Sequence, residues 1–117
     1  MKKSILTALA AGVLILPSSA NANAFCSGTV THTLTYVNGG VMIRSTWRNN
    51  WTQICNVKEE WKGVTPEVCY IWFSHASSAV TENKPLTVHY LGLDQAECAT
   101  MPTYGGAPAP YYVLLGQ

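Results

Sequence analysis

In the first half of the chain, apolar and polar residues at 29–37 alternate with a period of two, a return strand follows at 41–48, and 51–57 continues with β-branched and aromatic residues. This period is typical of half-buried β-strands. An Asn-Gly-Gly sequence at 38–40 supplies the positive φ angles that a tight hairpin needs, and an Arg-Asn-Asn sequence at 48–50 forms a second turn. The pattern therefore predicts a three-stranded antiparallel meander.

The period changes to that of a helix after Gly63. Thr65 suits the N-cap, Pro66 suits the first helical position, and an Asn-Lys-Pro sequence at 83–85 ends the helix. Positions that recur every three or four residues form an apolar face, which we expect to lie against the core. This face contains Val68, Cys69, Trp72, Phe73, Ala76, Ala79 and Val80.

Two more strands are predicted after the helix, at 86–91 and 111–115, with a long loop rich in proline and glycine between them. The order of elements is then β-β-β-α-β-β, which is the order of the OB-fold, a five-stranded and partly open barrel. We expect a mainly β fold with one helix, in the form of a five-stranded OB-like barrel. This barrel would occupy residues 23–117 as a single domain.

Residues 1–22 have the pattern of a secretory signal peptide. Lys2 and Lys3 precede a mostly apolar run at 5–16, and an Ala-Asn-Ala sequence at 20–22 offers small residues to a signal peptidase. We expect cleavage after Ala22, with cleavage after Ala24 as the alternative. The apolar run is shorter than the roughly 20 residues that span a membrane. These features predict a secreted or periplasmic protein without a membrane span.

All four cysteines lie after the predicted signal peptide, and this even count indicates two disulfides with three possible pairings. The first and fourth strands of an OB-like barrel pair antiparallel, which would bring Cys26 close to Cys98. Cys55 ends the third predicted strand, and Cys69 lies in the first turns of the helix soon afterwards. We therefore expect Cys26 to pair with Cys98 and Cys55 with Cys69. Because the cysteines lack CxxC spacing and the histidines are scattered, we expect no metal site.

Charge argues against nucleic acid as a partner. Without Lys2 and Lys3, five of the seven basic residues remain against six acidic ones, so the electrostatic term that dominates nucleic-acid binding is missing.

Sequence motifs also argue against catalysis. The chain contains no GxSxG, HExxH or paired-carboxylate motif, and we expect its thiols to be oxidised. We expect a non-enzymatic protein without a cofactor.

Aromatic and amide side chains at the second turn form the candidate binding site. Trp47 and Trp51 flank Asn49 and Asn50, and proteins bind sugars by stacking rings while amides bond the hydroxyls. The alternative is that the tryptophans cap an open end of the barrel. Tyr104, in the loop at 101–110, is the remaining candidate, and this loop is either functional or a strap over a barrel face. Packing or surface roles are expected for Trp61, Trp72, His32 and His89.

Two stretches of sequence resemble a known family. Residues 26–30, Cys-Ser-Gly-Thr-Val, open the threonine-rich strand and its turn, and residues 86–90, Leu-Thr-Val-His-Tyr, follow the helix and precede Cys98. In these features the chain resembles the Shiga-toxin B subunit and, more loosely, other AB5 toxin B subunits. The resemblance implies an OB-fold and allows for a homo-oligomer, since those proteins form pentamers that bind cell-surface glycans. The Shiga B subunit has acidic residues where this chain has Asn-Gly-Gly at 38–40, so no glycan-contacting residue is carried over.

These observations together predict an exported domain that works by binding, with a cell-surface glycan as its ligand. The alternative is a small binding or inhibitor module that acts on another exported protein through a strand edge or the proline-glycine loop.

Overall fold

The computed structural model describes residues 22–116, which form six β-strands, one α-helix and a short 3-10 helix. The strands are β1 Asn23–Gly28, β2 Val30–Thr35, β3 Gly40–Ser45, β4 Trp51–Asn56, β5 Leu86–Leu91 and β6 Tyr112–Leu115. The helix α1 spans Pro66–Glu82, and the 3-10 helix spans Gln95–Ala99. Apart from Ala22, the predicted signal peptide lies outside the described residues. The fold is mainly β with one helix, as predicted.

The strands form two antiparallel three-stranded sheets, with the orders β1-β5-β6 and β2-β3-β4. The predicted count of five strands is wrong, and within residues 22–116 the two sheets do not close into a barrel. The additional strand is β1, which pairs with β5 along its whole length. Its core-facing residues are Ala24 and Cys26, which are small. Because of this, β1 lacks the strongly apolar alternation that identified the other strands.

A corner at Gly28 and Thr29 separates β1 from β2 and leads the chain from one sheet into the other. Gly28 has a φ of +153°, a conformation that glycine adopts more readily than other residues. A Cβ atom at this position would overlap Thr46 Oγ1 and lie 3.4 Å from the ring of Trp47. Thr46 Oγ1 also accepts a hydrogen bond from the amide of Thr29 at 3.1 Å. The corner therefore depends on a residue without a side chain.

The helix α1 starts and ends where the sequence predicts. Thr65 is the N-cap, its hydroxyl accepts a hydrogen bond from the amide of Val68 at 3.4 Å, and Asn83 caps the end with a left-handed φ of +53°. The helix packs against β2, β4 and β6, and so contacts both sheets. Val68 is 37 % exposed because it lines a surface pocket, so its assignment to the core face is wrong. The remaining residues of that face are buried or packed against the core: Cys69, Trp72, Phe73, Ala76, Ala79 and Val80.

Both predicted disulfides are present. Cys26–Cys98 joins β1 to the 3-10 helix, and Cys55–Cys69 joins β4 to the first turn of α1. The first bridge closes a loop with a sequence separation of 72, and the second a loop with a separation of 14. On the chain-entropy account, these loops correspond to stabilisation by about 4 and about 3 kcal/mol. The second bridge lies in the core, where both of its cysteines are fully buried.

Candidate functional site

The turn between β3 and β4 carries four of the five residues predicted to bind a ligand. Asn49 is exposed and has a φ of +56°, a left-handed conformation that asparagine tolerates. Asn50 is half-buried, and its side-chain oxygen accepts a hydrogen bond from the amide of Trp51 at 2.7 Å. Trp47 is half-buried against the core and against Gly28. The contacts of Trp47 favour its structural interpretation, and the side chain of Asn50 stabilises the turn itself.

The loop at 101–110, here called the strap, is fastened along one edge of β4. The amide of Tyr104 donates to the carbonyl of Trp51 at 2.7 Å, and the amide of Gln53 donates to the carbonyl of Tyr104 at 3.2 Å. Arg48 Nε donates to the carbonyl of Met101 at 2.8 Å, and Met101 is 2 % exposed. The strap thus occupies backbone groups that an edge strand would otherwise leave open to other chains. The loop therefore has a structural role, but it lies along the edge of β4 and not, as the strap alternative has it, over a barrel face.

The structure brings Trp51 and Tyr104 together through their backbones and leaves part of each side chain accessible. Tyr104 is 45 % exposed, and Trp51 is half-buried, with its ring edge-on to that of His32 at 6.0 Å between centroids. Tyr104 has a φ of +54°, a conformation that costs a non-glycine residue about 1–3 kcal/mol and persists only where its surroundings hold it. Its two backbone hydrogen bonds to β4 do so. Asn50, Trp51 and Tyr104 therefore share one location, whereas Trp47 packs at the corner.

A second surface, on the outer side of the β1-β5-β6 sheet, was not predicted. The strand register places Phe25 opposite His89, and His89 opposite Tyr112. Directly opposed residues of paired strands share one face of the sheet, so the three strands contribute to a single row. The amide of Tyr111, which precedes β6, donates to the carbonyl of His89 at 2.7 Å. We call Phe25, His89, Tyr111 and Tyr112 the aromatic face.

The rings of the aromatic face are packed around His89. Phe25 stacks on His89 with centroids 4.3 Å apart and 7° between the planes. Tyr112 lies at 4.8 Å, and Tyr111 meets the histidine edge-on at 5.6 Å. His89 is 8 % exposed, and its Nε2 lies 3.0 Å from Oδ1 of Asn23. In contrast, Phe25, Tyr111 and Tyr112 are 45 %, 63 % and 37 % exposed, so the outer rings are accessible and the histidine is the packed centre.

Uncharged residues flank this row on both sides. One neighbouring row holds Asn23 and Leu91, and the other holds Ser27, Thr87 and Leu114. The hydroxyls of Ser27 and Thr87 lie 2.7 Å apart. The outer positions of the sheet thus combine aromatic rings, hydroxyls and an amide without any Lys, Arg, Asp or Glu. Such a surface suits a neutral ligand that has both apolar faces and hydroxyl groups.

A pocket of about 280 Å³ adjoins the aromatic face. Residues 62–65, Val68 and Trp72 line one part of it, and Pro110 and Tyr111 line the other. Tyr111 belongs both to the pocket and to the aromatic face, so the two are continuous. The sequence signal for this region is the Tyr-Tyr pair at 111–112, which the strand pattern by itself places at the start of the last strand.

The described part of the chain, residues 22–116, contains no group of three His, Cys, Asp or Glu side chains that could hold a metal ion. It also contains no helix of the length and apolarity that crossing a membrane requires. Comparison with models of protein families, with curated proteins and with solved structures finds no match to this chain.

Proposed function

We propose that this chain is an exported, non-enzymatic binding domain that recognises a neutral glycan through the aromatic face. The observation that carries the proposal is the group of three exposed rings, Phe25, Tyr111 and Tyr112, fixed around the buried His89 on a surface without charged side chains. Aromatic rings bind the apolar C–H side of a sugar, while nearby hydroxyls and amides bond its hydroxyl groups.

The rigidity of the aromatic face supports this function. Phe25, His89 and Tyr112 lie on three hydrogen-bonded strands, and the rings contact one another before any ligand arrives. A surface that is already ordered loses little conformational freedom on binding, so more of the contact energy appears as affinity. Weak individual stacking contacts can then add up to specific recognition.

The strand topology supports the part of this proposal that describes the fold as OB-like. β1 and β2 follow one another with only Thr29 between them, and together they take the place of a single bent first strand. In the resulting order, β4-β3-β2 continues through the corner into β1-β5-β6. We interpret this as an OB-like barrel that is open between β4 and β6. Toxin B subunits, which the sequence resembles, bind glycans with this class of fold.

Export is part of the same proposal. The two disulfides are of the kind that persists in oxidising compartments, which agrees with the predicted signal peptide. We therefore propose a secreted or periplasmic location.

A neutral-glycan array, probed with the parent protein and with single variants that remain folded, tests the function. Tyr111→Ala should weaken binding about tenfold, equivalent to about 1.4 kcal/mol, because it removes the most exposed ring of the aromatic face. Tyr70→Ala is the matched control, since Tyr70 is 61 % exposed on α1 and Tyr111 is 63 % exposed. Tyr104→Ala tests the site beside β4. If Tyr111→Ala and Tyr70→Ala bind alike, the aromatic face is not the site.

Salt dependence separates this function from binding that relies on charge. Because the aromatic face has no Lys, Arg, Asp or Glu, its affinity for a glycan should change less than about twofold between low and moderate salt. A steep loss of affinity with added salt would contradict recognition of a neutral ligand.

Two exposed leucines favour a protein ligand as the second candidate. Leu91 and Leu114 flank the aromatic rings and are 55 % and 51 % exposed, and aliphatic side chains of this kind pack better against protein than against sugar. Under this alternative, the parent should bind an exported protein that a folded Leu114→Glu variant does not bind. The parent should also show no binding on the glycan array.

A further inference from the structure

We infer that the pocket beside Tyr111 is a subsite for the terminal sugar of a neutral oligosaccharide whose following sugars lie on the aromatic face. This inference rests on the proposed function and specifies which end of the oligosaccharide lies in the pocket. It also narrows the ligand class from any neutral glycan to chains of at least two sugars that are bound from one end.

The position of Tyr111 links the two parts of the site. Its ring contacts His89 and Tyr112 on the aromatic face, with centroids 5.6 and 6.2 Å away. The same residue lines the pocket together with Pro110 and the helix residue Trp72. A chain of sugars that stacks on the exposed ring of Tyr111 can therefore reach the pocket without leaving the protein surface.

The size of the pocket limits what it can hold. Its volume of about 280 Å³ lies just below the range of about 300–1,000 Å³ that is usual for small-molecule sites. This space suits one sugar ring with its substituents. An oligosaccharide would have to place its other rings outside, and the aromatic face is the adjoining surface that offers stacking partners.

The lining favours a neutral occupant. Lys62 is the one cation among the lining residues, and its ammonium group already donates to the carbonyls of Gly105 and Ala107 at 3.0 and 2.7 Å. The same group lies 4.8 Å from the ring of Trp61. Glu67 adds a negative charge in the first turn of α1, which disfavours an anion at the helix start. The charges around the pocket therefore provide little to attract a charged sugar.

The walls combine apolar surface with a hydroxyl group, as a sugar requires. Val64 is 7 % exposed and Trp72 is 8 % exposed, so both present side chains that are fixed in the core. Thr65 accepts a hydrogen bond from Val68 through its hydroxyl oxygen and retains its own hydrogen for donation. A sugar ring can place its C–H side against the apolar wall and bond Thr65 through a hydroxyl.

The experiment measures how the affinity of the protein depends on the number of sugars in the oligosaccharide. The probes are the cello-, malto- and chito-oligosaccharide series with one to four sugars, titrated by calorimetry against the parent protein, Val68→Trp and Tyr70→Trp. Val68 is 37 % exposed and lines the pocket, so tryptophan there fills it, whereas Tyr70→Trp places the same group on an outward position of α1. In the series that binds, the parent's affinity should rise at least tenfold from one to three sugars. Val68→Trp should lower trisaccharide affinity at least fivefold, and Tyr70→Trp should leave it within twofold.

The outcomes separate failure of the subsite from failure of the function. If Tyr111→Ala weakens trisaccharide binding about tenfold and folded Val68→Trp binds like the parent, the pocket inference is wrong and the aromatic face remains the site. If the parent binds none of the three series, the proposed function and this inference both fall for these sugars.

A spectroscopic measurement covers the case in which Val68→Trp does not fold. The indole N–H signal of Trp72, assigned with Trp72→Phe, should shift when the parent is titrated with the trisaccharide that it binds. The signal of Trp47, which lies at the corner beside Gly28, should stay in place. A trisaccharide that binds without shifting the Trp72 signal would overturn the subsite.

Discussion

Replacing Gly28 with alanine tests the corner that joins the two sheets. The new methyl group would overlap Thr46 Oγ1 and touch the ring of Trp47 at van der Waals distance, and the backbone would keep a φ of +153° that disfavours any side chain. The protein can relieve the overlap by moving Thr46. That movement breaks the hydrogen bond from the amide of Thr29 to the Thr46 hydroxyl, which measures 3.1 Å.

These contributions give the size of the expected effect. Backbone strain at a position whose conformation favours glycine costs another residue about 1–3 kcal/mol. Loss of the Thr29 hydrogen bond adds about 0.5–1.5 kcal/mol. We expect Gly28→Ala to lower the free energy of unfolding by about 2–4 kcal/mol, which is a large part of the stability of a small domain.

Three further variants isolate the cause. Gly63 has a φ of +89° and nothing within 4 Å of where its Cβ would lie, so Gly63→Ala should show backbone strain alone, about 1 kcal/mol. Thr46→Ala removes the oxygen that the new methyl group would overlap. The double variant Gly28→Ala/Thr46→Ala should therefore lose about 1 kcal/mol less than the sum of the two single variants.

Urea unfolding followed by tryptophan fluorescence, with both disulfides intact, measures all four variants against the parent. A fall in the midpoint without a change in slope would show that the native state is destabilised. If Gly28→Ala loses no more stability than Gly63→Ala, or if the two changes at the corner are additive, the corner is not as tightly packed as described.

Three other substitutions probe the helix and a buried phenol. Phe73→Ala should lower the free energy of unfolding by about 2–4 kcal/mol because Phe73 packs against the core, whereas Tyr70→Ala should stay within about 1 kcal/mol because Tyr70 is 61 % exposed; equal shifts would contradict the helix phase. Burial raises the pKa of the Tyr90 phenol above its ordinary value, and its hydroxyl has no hydrogen-bond partner within residues 22–116. The stability that neutral Tyr90 contributes is fully present below about pH 10 and is lost as pH rises from there towards the raised pKa. Tyr90→Phe should be at least as stable as the parent at pH 7 and should flatten the loss of stability between about pH 10 and 12, as measured by urea midpoints; equally steep losses would show that Tyr90 is not responsible.

The elements that the sequence predicts correctly are those with strong local signals. The meander follows from alternation and an Asn-Gly turn, and α1 from a threonine cap, a proline at the first position and a terminating Asn-Lys-Pro sequence. The predicted disulfide pairing is also confirmed. The prediction of Cys26–Cys98 depended only on antiparallel pairing between the first strand and the strand after the helix, and the structure contains that pairing as β1 with β5.

The aromatic face was missed because it depends on register between distant segments. Phe25, His89 and Tyr112 lie on three separate strands, and only the pairings β1 with β5 and β5 with β6 place them in one row. Trp47 shows the opposite case. It is close in sequence to Trp51, and that closeness led to one predicted site, but the corner at Gly28 draws Trp47 into the packing of the two sheets.

Phe25 belongs both to a protected sheet edge and to the candidate site. At the β4 edge, the strap bonds the backbone at Trp51 and Gln53. At the β1 edge, the side-chain amide of Gln95 accepts from the amide of Phe25 and donates to its carbonyl, both at 2.8 Å, as a neighbouring strand would. These bonds hold the Phe25 backbone from one side while His89 holds its ring from the other. Since the residue is fixed in both respects, the aromatic face should bind without rearrangement of the sheet.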